Sequence, residues 1–574
     1  MAKVALVLAV ALIYAGVRST TGLVWNDSPM LSIALDSAPG TDGLDVPAAF
    51  RSAFAAAAGG GYRPLSQFIA NVGVRYFAAG GSVFLWALPV GALIGLFILV
   101  MYSTARRLGN APGFAALAAL LVVCSSPFVA SSWVIAAGIQ VIVPLFICAS
   151  LLTYWKLADS HFRSVPLYCA LMSLFIVGPW FREFIGVAPL LVGLLDWIKR
   201  RRPTAVMLLA SAGFLHAVYP GWIVHLIIPT APGVAVYKMG LLGSRFAAVP
   251  GPIELQLYVA ARTGIWVMAQ FLVLIPSTIL AGLVLAPLLD AVSRRNKAAG
   301  RAETEVSAAP AGRYRDAIFA SIWTAVSLLP LFKVYTSEVH LLYSLVPFSI
   351  LASLAAQYLW RRAKHTERPR VLRAVIGTAL LIGIGDQALN YPNSIRIVTT
   401  MNDGMQQVAN RIKDSVPPGS AIVGNALHLE DLRLLSGAHF VPYWTVESGI
   451  PYPPGERALL TRQRLAEFFR ASRKEVYLLD MDYEFHPGKR AYHSHRFVNR
   501  DGIAVEKLWS TEEIRVRYFF LDPLKNYTPR PLTNVLFAPD LENDFYRGPA
   551  RSGAPFTREI YVSHTLYKVL KVDP

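Results

Sequence analysis

The sequence predicts an α-helical polytopic membrane protein, with about eleven transmembrane helices and a C-terminal soluble α/β domain. Three observations predict it. The 574 residues are 54% hydrophobic and only 16% charged, with a mean hydropathy of +0.45, far less charge than a soluble chain of this length carries. The apolar residues come in blocks such as Val83–Met101 and Gly264–Leu289, near the ~20 residues that span a hydrocarbon core. After Asn390 charge rises, Pro and Gly punctuate, and short β-rich runs replace the blocks.

The first apolar run, Val4–Val17, follows Lys3 and is short. It has the form of a signal peptide's core with a cut near Ala15–Ser19, but a retained span is preferred because the later charges alternate correctly only with it. A polar stretch, residues 18–81, then forms a large first external loop. Within it Val46–Ala58, with Phe50 and Phe54 four apart, suits a short interfacial helix. The further spans are Ser82–Tyr102, Ala111–Val129, Trp133–Trp155, Val165–Trp180, Phe184–Ile198, Ala205–Ile228, Thr263–Leu289, Ala317–Phe332, Leu341–Trp360 and Val371–Asn390. These make 1–390 a transmembrane domain and 391–574 an external one. In the tail, helices at Met405–Lys413 and Thr461–Arg470 precede "SAIVGN" and "EVYLLD", and "RVRYFFLD" and "REIYVS" follow, an α/β alternation.

The net charge of +18 is explained by topology rather than by nucleic acid. Arg106–Arg107, Lys156 with Arg163, "KRRR" at Lys199–Arg202, "SRRNK" before Ala298 and "RRAKHTERPR" at Arg361–Arg370 occupy every second connection. The positive-inside bias makes that set cytoplasmic. The amino terminus is then inside and the tail outside, which suits a bacterial inner membrane with a periplasmic tail. Cys124, Cys148 and Cys169 all lie in apolar segments and read as small buried hydrophobes.

Polar groups gather where the spans meet the external side. "VWNDSPM" supplies Asp27, with Asp36 in reserve, and "GYRPL" supplies Arg63. "GPWFREFIGVAPL" supplies Arg182 and Glu183, and "KVYTSEVHLLYSLVP" supplies Lys333, Glu338, His340 and Tyr343. A carboxylate, several cations and a histidine facing one compartment have the makings of a site that activates a hydroxyl and holds a phosphate. Each also has a plain reading: a solvated loop acid, a surface ion pair, a packing histidine, an arginine snorkelling at the headgroups. Their shared side is what favours a site. Gly59–Gly61 frees the chain to turn, and Pro64 opens a helix with its donor-free nitrogen, which holds Arg63 at the rim. In the tail, Asp480, Asp482, His486, His493 and His495 match no standard metal-ligand spacing. Tyr443, Trp444 and Tyr452 offer stacking surfaces for sugar.

The ordered set "YRPLSQFI", "FREFIGVAPLLV" and "SEVHLLYSLVPFSILASL" resembles segments of the GT-C superfamily of multi-spanning glycosyltransferases, including relatives of the protein O-mannosyltransferases, over about two-thirds of the chain. The resemblance implies an inverting transferase that takes sugar from a polyprenyl phosphate and passes it to a hydroxyl of an envelope glycan, lipid or protein. It implies Asp27 as catalytic base. Arg63, Arg182 and His340 would lie at the donor phosphate, with Glu183, Glu338 and Tyr343 on the donor's phosphate or sugar. Many relatives carry adjacent acids at the first position, whereas Asn26 and Ser28 flank Asp27 here; a divalent metal is left open. The competing classes are a transporter or flippase of a lipid-linked or anionic solute, and a non-enzymatic envelope assembly protein.

Overall fold

The computed structural model describes residues 2–21, 64–78, 81–133, 139–200, 310–328, 342–363, 369–424, 432, 435–442, 467–472, 474–484, 503–512, 514–519 and 557–572. The described residues divide into two compact units, with the boundary between Asn390 and Tyr391.

The first unit is helical: α1 (Ala2–Thr21), α2 (Pro64–Ala78), α3 (Val83–Arg107), α4 (Pro112–Val123), α5 (Ser126–Trp133), α6 (Ile142–Asp159), α7 (Val165–Phe181), α8 (Val187–Arg200), α9 (Pro310–Leu328), α10 (Leu342–Arg362) and α11 (Pro369–Ala388). Among the described residues, Ala2–Thr21, Val83–Arg107, Ile142–Asp159 and Leu342–Arg361 are long and apolar enough to cross a membrane. Composition and these helices together make the chain a membrane protein. Pro112–Val123 and Val165–Phe181 are apolar but shorter, and the expected spans Ala205–Ile228 and Thr263–Leu289 lie outside the described residues, as does Val46–Ala58.

Helices α1 and α3 pack through small residues. A Cβ on Gly91 would lie 2.8 Å from Ala11 Cα, and one on Gly95 2.9 Å from Val7 Cα. As one index rises the other falls, so the pair is antiparallel. Gly91-x-x-x-Gly95 faces a turn bearing the buried Ala11, the close backbone approach that drives helix association in lipid.

The alternating helix directions bring most of the basic residues to one end. Arg107 at the close of α3 pairs with Asp159 at the close of α6 at 2.7 Å. Lys199, ending α8, pairs with Asp316 near the start of α9 at 2.6 Å and lies 5.9 Å above the Trp155 ring. One turn back on α8, the buried Asp196 accepts the Tyr154 hydroxyl. Gln357 of α10 clasps the α3–α4 turn, its Nε2 donating to the Gly109 carbonyl at 3.2 Å and its Oε1 accepting the Ala111 amide. The opposite ends of α1, α3, α7 and α10 lie together on the other side.

Several expected elements change. Ala111–Val129 is not one span: α4 stops at Val123, and α5 restarts at Ser126, because Pro127 has no N–H to donate to the Val123 carbonyl and continue the ladder. Of the expected Trp133–Trp155, Trp133 closes α5, residues 134–138 lie outside the described residues, and the rest is a 3-10 turn, Ile139–Val141, running into α6. The Phe184 end of the expected Phe184–Ile198 is likewise a 3-10 turn, Glu183–Gly186. Cys169 is exposed on α7, not buried, whereas Cys124 and Cys148 are buried.

The second unit opens with α12 (Asn390–Ser415), much longer than the expected Met405–Lys413, and continues into a six-stranded sheet. Its strands are β1 (Ala421–Gly424), β2 (His439–Pro442), β3 (Val476–Glu484), β4 (Ile503–Ser510), β5 (Ile514–Phe519) and β6 (Thr557–Val572). The order is β2-β1-β3-β6-β4, with β5 also on β6. β1 runs parallel to β2 and β3, while β6 is antiparallel to β3, β4 and β5. The 16 residues of β6 are long enough to hold β4 and β5 in succession along one edge. Met405, Val408, Ala409 and Ile412 of α12 cover one face with Ile422, Tyr477 and Leu479. Phe469 covers the other, against Val423, Val476 and Leu478. Helix 467–471 is the described part of the expected Thr461–Arg470.

Two predictions follow from these contacts. Lys199→Met strands the Asp316 carboxylate in a largely buried setting and lowers stability by about 2 kcal/mol. Adding Asp316→Leu recovers much of that loss, a non-additivity measurable as the melting temperature in detergent. In the second unit Glu475 accepts Lys568 Nζ at 2.8 Å and the Tyr477 hydroxyl at 2.8 Å, and these bonds hold its carboxyl below the ordinary value. A depressed folded-state pKa stabilises above the unfolded value, about 4.3, and that contribution is lost as pH falls through the folded value. Acid unfolding of this unit, followed by circular dichroism between pH 5 and 3 (roughly the carboxylate range), is therefore shallower in Glu475→Gln.

Candidate active site

The site expected from sequence has its described members at the end of the helical unit opposite the basic residues. Helix α7 ends at Phe181, and Arg182 turns to extended backbone at φ −155°, ψ 131°. The reversal is tight: the Ile185 amide donates to the Arg182 carbonyl at 3.0 Å, and the 3-10 turn carries Glu183 before α8 begins. Gly178 makes the reversal possible, because a Cβ there would sit 2.4 Å from Ile185 Cγ2 and 3.1 Å from Phe146 Cδ1. Arg182 is thus half-buried at a fixed corner between two helices.

Two contacts join this corner to the other motif segments. Ser66, in the first turn of α2, donates its hydroxyl to the Phe181 carbonyl at 2.6 Å. The turn that begins at Pro64, directly after Arg63, is therefore bound to the residue before Arg182. Phe184 stacks on Tyr343 with ring centroids 4.7 Å apart and planes 26° apart, which binds the first turn of α10 to the residue after Glu183. Tyr343 is 4% exposed and donates its hydroxyl to Gln140 Oε1. The described parts of "YRPLSQFI", "FREFIGV" and "HLLYSLVP", far apart in sequence, meet at one junction.

Arg182 and Tyr343 are thereby brought to one corner, with the Glu183 backbone between Arg182 and Phe184. Asp27, Asp36, Arg63, Lys333, Glu338 and His340 lie outside the described residues, as do Tyr443, Trp444, Tyr452, His486, His493 and His495. Among the described residues no three His, Cys, Asp or Glu side chains gather as metal ligands. Sequence reasoning passed over Ser66, Gly178 and Gln140. A signal existed for two of them: Gln140 is an amide inside an apolar run, and Gly178–Pro179 is a turn-forming pair just before the arginine. Arg18, fully buried in the last turn of α1, was also missed.

The corner depends on the missing side chain at 178. Gly178→Ala lowers the melting temperature by several degrees, since overpacking costs about 1–3 kcal/mol. Combined with Ile185→Ala it is less destabilised than the two single changes summed. Strict additivity would place the strain elsewhere.

No family model and no curated protein matches the sequence. Among solved structures, ArnT from Cupriavidus metallidurans in the apo state is similar, at 14% identity and a TM-score of 0.37, over 83% of this chain and 94% of that one.

Proposed function

We propose that the chain is an inverting glycosyltransferase that moves sugar from a polyprenyl-phosphate donor to an acceptor hydroxyl at the outer face of a bacterial inner membrane. The observation that carries this reading is the junction of Ser66 with Phe181 and of Phe184 with Tyr343. It collects the three motif segments at one end of the helices, away from the basic end. Positive-inside placement makes the basic end cytoplasmic and the junction external.

In the proposed reaction the donor's lipid stays between the spans and its phosphate meets Arg63 and Arg182, with His340 beside them. Glu183 and Glu338 orient those cations or contact sugar, and Tyr343 braces the wall through Phe184 and Gln140. The acceptor oxygen attacks the anomeric carbon as Asp27 takes its proton. The bond from that carbon to the phosphate oxygen breaks, and the phosphate keeps the electron pair. One displacement inverts the anomeric centre. Guanidinium groups stabilise the charge that develops on the leaving phosphate. The acceptor is a hydroxyl of an envelope glycan, lipid or protein, and a divalent ion at the phosphate is compatible with the same roles.

Proteoliposomes supplied with a radiolabelled polyprenyl-phosphate sugar and an envelope extract test the reading. Wild type incorporates label into acceptor, and Asp27→Asn loses at least about a hundredfold of that rate with an unchanged melting temperature. Undiminished incorporation in Asp27→Asn removes that residue from the mechanism. Movement of solute across the bilayer without a new glycosidic bond identifies a carrier instead.

A further inference from the structure

Helix α6 closes on a turn with an uncommon backbone. After the cap at Ser160, the Phe162 amide donates to the Leu157 carbonyl at 2.9 Å and the His161 amide to the Ala158 carbonyl at 3.1 Å. This pair of bonds ends a helix when the residue after the cap enters the left-handed region, a position that glycine ordinarily fills. Here His161 stands there at φ 52°, and Phe162 follows at φ 61°. Such backbone is costly for any residue with a Cβ. For Phe162, packing offsets the cost: it lies against the helical core, its ring centroid 6.0 Å from that of Tyr154. His161 is exposed and has no such packing among the described residues. Strain kept without a packing return marks a functional position.

The charge around the turn is one-sided. Arg107 at the close of α3 pairs with Asp159 at 2.7 Å, and Arg106 donates to the Asn110 carbonyl at 2.9 Å. Lys156 and Arg163 are exposed on either side of the cap, and among the described residues no acid pairs with them. The Arg163 amide donates to the Ser160 carbonyl at 3.1 Å, which keeps that residue in the turn. Helix α7 starts directly after it. Val165, Cys169 and Ile176 form an exposed stripe at helical spacing, while Leu171, Phe175 and Gly178 turn to the core. Tyr168, one turn into the helix, is exposed as well, where aromatic side chains meet headgroups.

We propose that the α6–α7 turn holds the phosphate headgroup of an anionic phospholipid against Lys156, His161 and Arg163, with an acyl chain along the exposed stripe of α7. Basic pockets at the ends of membrane helices bind such headgroups, and guanidinium and imidazole N–H groups donate to phosphate oxygens. A positive-inside bias accounts for Lys156 and Arg163 as charges, but it does not ask for a side chain at a left-handed cap. The proposal stands apart from the transferase reading: the lipid is a bound structural ligand at the basic end, and either can fail without the other.

Native mass spectrometry of the detergent-solubilised full chain, titrated with phosphatidylglycerol, phosphatidylcholine or glycerol 1-phosphate, tests it, with melting temperatures in parallel. Wild type binds phosphatidylglycerol in preference to phosphatidylcholine and takes up glycerol 1-phosphate at least about tenfold more weakly, because the chain contact is missing. Lys156→Gln and Arg163→Gln each weaken phosphatidylglycerol binding by about fivefold, the worth of one basic side chain at an anionic headgroup. His161→Gly separates binding from folding: relief of the left-handed strain raises the melting temperature by about 2 °C, while affinity falls by about threefold with the lost donor. If Arg163→Gln does not fold, Lys156→Gln decides. Unchanged affinity in the folded basic variant or in His161→Gly overturns the proposal. So does equal binding of the two phospholipids, and equal affinity for glycerol 1-phosphate makes the turn a free-anion site rather than a lipid site.

Discussion

One corner of backbone, the reversal from α7 into α8 at Arg182, organises the non-basic end of the helical unit. It is held from both sides by groups that carry no charge: a hydroxyl on the Phe181 carbonyl and an aromatic face on Phe184. In a low-dielectric setting a satisfied neutral hydrogen bond avoids the desolvation cost of an ion pair. Gly178 is the steric condition for that corner, since any larger residue meets Ile185.

The two ends of the unit are built differently. At the basic end, ion pairs and a cation over an aromatic ring tie α3, α6, α8 and α9 together, and an amide clasps the α3–α4 turn to α10. These contacts absorb the basic side chains that fix orientation. At the other end the ties are hydroxyls, amides and stacked rings, and the described cations Arg18 and Arg182 sit among them.

Much of this was legible in the residues. Long apolar blocks gave the membrane helices α1, α3, α6 and α10 to within a few residues at their termini, apart from the late start of α6, because hydropathy measures directly what the bilayer selects. Hydropathy carries no helical phase, however, so the halt between Val123 and Ser126 was hidden inside one apolar run. Only Pro127 marked it. The start of α2 at Pro64 was readable from proline chemistry alone. In the tail β1, β3, β5 and β6 were visible as β-rich runs, whereas β2 ends on Pro442, a residue that argues against a strand, and β4 interrupts its alternation with adjacent Glu506 and Lys507. At the site, residue types and order pointed to Arg182 and Tyr343. That Tyr343 would pair with Phe184 and Gln140 was not readable, even though Gln140 stood out as an amide in an apolar run, because which amide meets a hydroxyl 203 residues away is decided by packing.

The most direct test is an electron cryomicroscopy structure of the chain in lipid nanodiscs with a polyprenyl phosphate bound. The account predicts phosphate density at the junction of α2, α7 and α10, within hydrogen-bond reach of Arg182. Phosphate density at the basic end of the helices, among Arg107, Lys199 and Arg361, would contradict it.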